Sequence, residues 1–267
     1  MEYINQLSEE VEMKKIAVVV GLIIISVFIA SVNANAETIS FNDNTKYWSG
    51  WNNTTNNTGD DSADVIGIPN FTDGKAKVGS DLLTNLTFNR QAVTPSYWWV
   101  LTPGDLFIDV GADKTWDYVV DLSTTWTTPS PTYTDPAAGK YNIYSINLGL
   151  NSTSGYILSG TDYSGGWSGY GIRDRHPVAA KADLLTEKYG LVDFSGWDDK
   201  SSTTQYTFDF EGLDLGQSGQ FTIGWQPNCA NDVVYETLQY TPTPEPATMS
   251  LLGLGLAGLL RFRKKRA

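Results

Sequence analysis

Hydrophobic and polar residues alternate with a period of two along several stretches of the chain. The stretch 105–110 alternates in this way, and after a turn at 111–114 the stretch 116–122 alternates again. Because successive side chains of a strand point to opposite faces of a sheet, this alternation is typical of half-buried strands. Two such stretches joined by a short turn predict a β-hairpin.

Other stretches extend the pattern to the rest of the chain. The stretches 206–210 and 221–225 predict a second hairpin, which turns at 212–219, and 141–150 predicts a further strand. The stretch 178–189 is the best candidate for a helix. Regular strands separated by turns rich in Gly, Asn and Ser, without βαβ alternation, predict an all-β body, an antiparallel β-sandwich or jelly roll.

The start of the chain has the pattern of an export signal. A basic start at Met13 leads into an apolar run at 16–32, and the small residues Ala34 and Ala36 complete a small-x-small cleavage site. These parts predict a helical signal peptide at 1–36 that is cleaved after Ala36. Met13 is a second candidate for the true start, because the residues before it are acidic. An uncleaved membrane anchor is the alternative.

The end of the chain combines a proline-rich spacer, an apolar run at 249–260 and a basic cluster at 261–266. Prolines lack a backbone donor and fix their φ, so the spacer is stiff and extended. The apolar run forms a helix of about 18 Å, shorter than the roughly 30 Å of a hydrocarbon core. The pattern predicts a short hydrophobic helix in transient contact with the inner membrane, with its basic end cytoplasmic and the body outside.

The Pro-Glu-Pro triplet, the apolar run and the basic end, in this order, resemble the PEP-CTERM sorting signal. In that family an exosortase, a membrane cysteine transpeptidase of Gram-negative bacteria that make exopolysaccharide, recognises the signal. The resemblance implies that Pro244, Glu245 and Pro246 are the recognition motif and that the tail is removed during processing. The chain would then be the substrate of that reaction. An ordinary tail anchor is the alternative.

Two parts of the body resemble uncharacterised proteins that bear the same tail. The segments 104–109 and 116–120, which read GDLFID and WDYVV, are similar to a hairpin of those proteins. The segment 225–233 is similar to their last segment before the tail, with Ala230 in place of a glycine. The resemblance implies a shared domain and assigns no activity to it.

Length and charge limit the classes of function. The chain has 267 residues and a net charge of −12, and we expect a signal peptide at 1–36, one body at 37–240 and a sorting tail at 241–267. The body contains 11 Lys and Arg against 25 Asp and Glu, so its charge of −14 repels nucleic acid and attracts divalent cations. Cys229 is the one cysteine, which excludes an intramolecular disulfide.

A structural calcium ion is the one cofactor that the sequence suggests. Asp109, Asp113 and Asp117 recur around the turn of the first predicted hairpin, and carboxylate oxygens are the ligands that Ca²⁺ prefers. The spacing does not match an EF-hand loop, because position 111 is Gly and no Glu stands at the required position. The alternative is that these side chains stabilise the turn itself.

Tryptophans beside polar residues suggest a carbohydrate-binding face. Trp167 and Trp197 have the most polar neighbours of the nine tryptophans and are the candidate platforms for sugar rings. The alternative is that they belong to the core, as most tryptophans of a β-sandwich do.

Catalytic patterns are weak, and we expect no enzyme. His176 is the one histidine, which excludes a multi-histidine zinc site, and no Gly-x-Ser-x-Gly elbow follows an apolar strand. The leading interpretation is a structural or adhesion protein of the cell surface or extracellular matrix, exported through the inner membrane of a Gram-negative bacterium. It is processed by an exosortase and associated with exopolysaccharide. A carbohydrate-binding module is the alternative, and a glycoside-directed hydrolase is third.

Overall fold

The described part of the chain consists almost entirely of β-strands. The computed structural model describes residues 36–45, 48, 70–91, 103–122, 138–150, 152, 154–159, 176–196, 204–227, 230, 232–243, 253 and 255. Its strands are β1 Glu37–Asn42, β2 Phe71–Gly79, β3 Leu82–Arg90, β4 Leu106–Val110, β5 Thr115–Asp121, β6 Gly139–Gly149, β7 Tyr156–Leu158, β8 Pro177–Ala180, β9 Glu187–Ser195, β10 Gln205–Asp214, β11 Gln220–Trp225 and β12 Val234–Gln239. One short 3-10 helix, Ala182–Leu184, lies between β8 and β9.

Ten of these strands form one antiparallel sheet in the order β1-β2-β3-β10-β9-β6-β5-β4-β11-β12, and β7 pairs with β8 in a separate pair. The two edge strands lie close to each other. The Thr45 hydroxyl donates a hydrogen bond to the carbonyl of Tyr235 at 2.6 Å, and the Thr241 amide donates one to the Glu37 carboxylate at 3.0 Å. The sheet therefore curls until its edges meet through side-chain bonds.

The structure confirms the all-β, antiparallel class. It also confirms the β4–β5 hairpin, in which Leu106 pairs with Val120, and the strand predicted at 141–150, which is β6. The expectation of two stacked sheets is not met, because the described strands of the body make one continuous sheet with a small pair beside it. Curling lets one sheet bury its own inner face, so a second sheet is not needed to cover it.

Two local predictions are wrong. Strands β10 and β11 do not form a hairpin, because β10 lies between β3 and β9 whereas β11 lies between β4 and β12. The predicted helix at 178–189 is instead β8, the 3-10 helix and the start of β9. All four residues of β8 are buried. An apolar run buried on both faces has no alternation, so periodicity alone cannot separate it from a helix.

The apolar side chains form two clusters, one on each face of the sheet near β4, β5 and β11. The inner cluster contains Phe88, Phe208 and Trp225, and the Phe88 and Trp225 rings lie 4.7 Å apart between centroids. The outer cluster contains Trp48 and Trp116, whose rings lie 5.3 Å apart. Because side chains alternate along a strand, β11 contacts both clusters.

The connections divide the sheet into two ends. We call one end the turn pole, because short connections join the strands there: 80–81, 111–114 and 215–219. We call the other end the loop pole, because the long connections begin and end there: 43–70, 91–105, 122–138, 159–176, 196–204 and 226–233. The ten residues of β10, at about 3.3 Å each, separate the poles by about 30 Å.

Candidate functional site

The last strand ends at the turn pole in a network of hydrogen bonds centred on Tyr240. The Tyr240 amide donates to the carbonyl of Gly219 at 2.9 Å. Its hydroxyl donates to the carbonyls of Leu215 at 2.8 Å and Gly216 at 2.9 Å. The side chain is buried, and its ring lies 6.2 Å from that of Phe221. Tyr240 thereby fixes the point at which the chain leaves the sheet.

The first strand begins at the same place. The Thr241 amide donates a hydrogen bond to the carboxylate of Glu37 at 3.0 Å, and Glu37 follows the predicted cleavage residue Ala36. Ala36 is exposed, whereas Ala34 lies outside the described residues. The sequence predicted two processing junctions at opposite ends of the chain, and the fold brings the body sides of both junctions together at one corner of the turn pole.

The segment that follows this corner in the chain matches a known sorting motif. Residues 242–266 match the family model of the PEP-CTERM protein-sorting motif. The chain carries this sorting motif. Exosortases recognise it, so the chain is an exported protein that undergoes exosortase-dependent sorting at the envelope of a Gram-negative bacterium. No curated protein and no solved structure matches the chain.

The PEP-CTERM segment itself lies largely beyond the described residues. Pro244, Glu245 and Pro246 fall within the match but outside that description, as does the predicted signal peptide up to residue 35. In the predicted C-terminal helix only Gly253 and Gly255 are described, and both have helical backbone. Across the described positions, no helix is long and apolar enough to cross a membrane.

The three aspartates of the candidate calcium site lie together at the β4–β5 turn, on the turn pole. The Asp109 carboxylate accepts hydrogen bonds from the amides of Asp113 at 3.0 Å and Lys114 at 2.9 Å. The Asp117 carboxylate accepts one from the Val110 amide at 2.7 Å. These carboxylates therefore satisfy backbone donors of the turn, which is the role that the alternative interpretation gave them.

Burial raises the pKa of two carboxyl groups in the same turn. Loss of hydration raises the pKa of Asp109, and the nearby Asp113 and Asp117 charges add to the rise while the amide donors oppose it. Burial likewise raises the pKa of Asp117. Within the described ranges, no group of three or more His, Cys, Asp or Glu side chains is arranged to hold a metal ion. The calcium site stays a prediction, and the observed contacts of its residues are those of turn stabilisation.

The tryptophans fall into two groups. Trp48, Trp116 and Trp225 are fully buried in the two apolar clusters. The Trp116 indole donates a hydrogen bond to the Tyr156 hydroxyl at 2.7 Å, so it is bound within the core. The candidate sugar platforms Trp167 and Trp197 lie outside the described residues. Their positions in the chain assign both to connections that begin and end at the loop pole.

Buried polar groups near the loop pole connect β8 to the sheet. The Asp105 carboxylate accepts hydrogen bonds from the amides of Leu122 at 3.0 Å and Ala180 at 2.9 Å. His176 is 97% buried, with 3% relative exposure, and its amide donates to the Ser159 hydroxyl at 3.0 Å. Asp105 thus has a structural role, because both of its oxygens hold backbone amides of neighbouring strands.

The sequence indicated the sorting motif but not the residues that fix the chain where the motif begins. We call these residues, Tyr240, Thr241 and Glu37, the anchor. Tyr240 appeared only as the last residue of the body, and Glu37 only as the residue after a cleavage site. An aromatic residue directly before a proline-rich spacer was a signal that the chain is fixed there. Tyr240 bonds to the connection between β10 and β11, and Glu37 bonds to Thr241 at the other end of the body, so no local pattern could identify these partners.

Proposed function

We propose that the body is a non-enzymatic structural or adhesion domain that the sorting tail delivers to the cell surface and its exopolysaccharide. The single observation that carries the proposal is where the chain enters and leaves the body. The chain enters the body at Glu37 and leaves it at Thr241, and these residues are hydrogen-bonded to each other at the turn pole. Both membrane-directed segments are therefore connected to the turn pole, and we assign the contacts at the surface to the opposite pole.

The charge and packing of the body support this role. A net charge of −12 on the chain disfavours nucleic acid as a partner, and the described body has a continuous inner cluster of buried residues from strands on all sides. A well-packed body that is tethered at one pole can withstand export and then present its opposite pole.

The test is to follow processing of the full chain in a host that has an exosortase. The variant replaces Pro244, Glu245 and Pro246 with alanine. We expect intact mass to show that the wild type begins at Glu37 and lacks the apolar run at 249–260, and that the variant keeps this run and fractionates with membranes.

The control variant Thr241→Ala changes the residue directly before the matched segment 242–266, keeps the backbone amide that bonds Glu37, and should be processed normally. Normal processing of the triple variant would contradict exosortase-dependent delivery through this motif.

A carbohydrate-binding module is the second candidate, and one observation favours it. Seven of the nine tryptophans belong by chain position to connections that begin and end at the loop pole: Trp48, Trp51, Trp98, Trp99, Trp126, Trp167 and Trp197. Of these, Trp48 is buried in the outer cluster, and the other six are the candidates. Aromatic side chains beside amides and hydroxyls are typical of sugar-binding surfaces. The connections that carry these candidates begin and end at the pole opposite Thr241.

A glycan array that includes the host exopolysaccharide separates the two candidates. The carbohydrate-binding candidate predicts that the folded body binds at least one glycan and that the double variant Trp167→Ala, Trp197→Ala loses binding with an unchanged melting temperature. Absence of binding to every glycan, including the host polymer, would leave the structural role as the better account.

A further inference from the structure

Two exposed apolar side chains distinguish the turn pole. Leu82 is 37% exposed and Tyr189 is 41% exposed, and among the described residues these are the large hydrophobic side chains that face solvent. Leu82 begins β3 and Tyr189 lies near the start of β9. Both therefore lie at the turn pole.

The two side chains adjoin through β10. Leu82 is the direct neighbour of Asp214 in the β3–β10 ladder, and the Asp214 amide donates a hydrogen bond to the Tyr189 hydroxyl at 3.3 Å. The Tyr189 ring also packs against Tyr118, with 4.6 Å between centroids. We call this surface, formed by Leu82, Asp214 and Tyr189, the apolar patch.

The apolar patch is connected directly to the anchor of the tail. The Asp214 carboxylate accepts a hydrogen bond from the Gly216 amide at 2.8 Å, and the Gly216 carbonyl accepts one from the Tyr240 hydroxyl at 2.9 Å. The patch and the anchor thus share the segment 214–216.

The length of chain beyond the anchor fixes where the recognition motif can go. Thr241 is bonded to Glu37, and Pro244 follows three residues later. Three extended residues span at most about 11 Å, which is much less than the roughly 30 Å between the poles. An enzyme that binds Pro244, Glu245 and Pro246 while the anchor is intact must therefore lie against the turn pole.

We propose that the apolar patch is a docking surface for the exosortase, used together with the Pro-Glu-Pro motif. This inference rests on the exosortase-dependent sorting proposed above. The partner surface would offer apolar contacts to Leu82 and to the Tyr189 ring. Because the motif and the patch are linked by a short segment, binding of one raises the effective concentration of the other. The body thereby contributes to its own recognition, and the tail does not act alone.

The experiment measures the rate of tail removal by pulse-chase with the full chain in an exosortase-bearing host. The test variant is Leu82→Thr, Tyr189→Thr, because threonine is β-branched and therefore suits both strand positions. We expect processing to slow by about tenfold, the loss that removal of a central apolar contact typically causes. Tyr189→Phe keeps the ring and should be processed at the wild-type rate.

The matched control is Lys75→Thr, Lys77→Thr, which removes two exposed side chains from the outer face of β2, and its rate should be unchanged. Melting curves of the purified bodies check that each variant is folded. Wild-type processing of a folded patch variant would overturn the proposal.

A second measurement keeps the wild-type body and so does not depend on the fold of a variant. Twelve Gly and Ser residues inserted between Pro242 and Thr243 weaken the link between motif and patch. The proposal predicts slower processing of this chain, and it predicts that the patch variant has no further effect once the insertion is present. Faster or unchanged processing after insertion would contradict docking.

The outcomes also separate this proposal from the sorting function itself. Substitution of Pro244, Glu245 and Pro246 tests the sorting function. If that change stops processing while the patch variant and the insertion leave the rate unchanged, the sorting function stands and docking through the patch is wrong. If neither set of changes affects the tail, both fail.

Discussion

The turn pole and the loop pole differ in what the chain does at each. At the turn pole, short connections close the strands, and Tyr240 and Glu37 fix both ends of the body within one hydrogen-bonded corner. At the loop pole, six long connections begin and end, and buried groups such as Asp105 tie β8 to the sheet. The difference is the basis of the proposed function, in which the turn pole serves delivery and the loop pole makes the surface contacts.

The largest expected effect comes from the core beneath the loop pole. Trp225 is fully buried, packs against Phe71 at 5.0 Å between centroids, and donates its indole hydrogen bond to the Gly104 carbonyl at 3.1 Å. Trp225→Ala should lower the free energy of unfolding by about 4 kcal/mol, measured by urea denaturation. Leu82→Ala, at an exposed site of the turn pole, should change it by less than about 0.5 kcal/mol. Equal losses of unfolding free energy in the two variants would contradict this difference between the buried core and the exposed turn pole.

The next largest loss of stability is expected at Gly104, where three backbone segments lie close together at the loop pole. A Cβ at Gly104 would lie 2.3 Å from the Val178 carbonyl oxygen and 2.6 Å from that of Gln226. Gly104→Ala must push β8 or β11 away from β4, at a cost of about 3 kcal/mol. Gly149→Ala, where a Cβ meets nothing within 4 Å, is the matched control and should be nearly neutral. Thermal unfolding of both variants measures the difference.

The hydroxyl of Tyr240 should contribute less to the free energy of unfolding than Trp225 or the close approach at Gly104. Tyr240→Phe keeps the buried ring and removes the hydroxyl that donates to the carbonyls of Leu215 and Gly216. The loss of a buried hydrogen bond lowers the free energy of unfolding by about 1 kcal/mol. Hydrogen exchange should show faster exchange of the Tyr240 amide, with amides of the inner strands unchanged. Uniform acceleration throughout the sheet would instead mean that the anchor supports the whole body.

The smallest effect concerns the acidic turn. The folded-state pKa of Asp117 lies above its ordinary value of 3.8, so the folded state holds that proton more tightly than the unfolded state. Stability from this group is therefore present at low pH and is lost as pH rises from the ordinary pKa through the raised one. Asp117→Asn keeps an acceptor for the Val110 amide and should be more stable at pH 7 by at most about 0.5 kcal/mol, because the site is partly solvated.

The pH profile of the melting temperature checks this prediction. The difference between Asp117→Asn and wild type should shrink as the pH falls below the raised pKa, and a constant difference would contradict it. The calcium hypothesis makes a separate prediction for the same pair. Millimolar calcium should raise the melting temperature of the wild type more than that of the variant, and no rise in either would remove the metal site.

Local sequence patterns predicted the parts of the fold that depend on local contacts. Alternation and a short turn were enough for β4 and β5, which pair across 111–114, and for β6. The partners of β10 and β11 were not predictable in this way. Each of these strands has one partner far away in the chain, β3 for β10 and β4 for β11, and this choice depends on packing of the whole inner cluster. The helix predicted at 178–189 failed in part because residues 178–180, in β8, are all buried and so show no alternation. The rest of the run divides between the 3-10 helix and the start of β9.

In the candidate site too, the features that depend on local sequence were predictable and those that depend on long-range contacts were not. The Pro-Glu-Pro triplet, the apolar run and the basic end stand in order at the end of the chain, so they could be recognised without a structure. The Glu37–Thr241 bond joins residues 204 positions apart, and the apolar patch joins β3, β9 and β10. The first contact requires the sheet to curl until its edges meet, and the second requires β10 to pair with both β3 and β9. Neither is encoded in a local pattern, so the sequence alone could not indicate them.

Crosslinking can measure directly whether the turn pole of the body faces the exosortase during sorting. A photo-crosslinking amino acid placed at Lys188, an exposed residue of the turn pole, is compared with one at Thr204, an exposed residue of the loop pole. Both are expressed in the full chain, in an exosortase-bearing host, and irradiated during export. The account predicts a covalent adduct with the exosortase from Lys188 and little or none from Thr204. Equal adducts from the two positions, or an adduct from Thr204 alone, would contradict it.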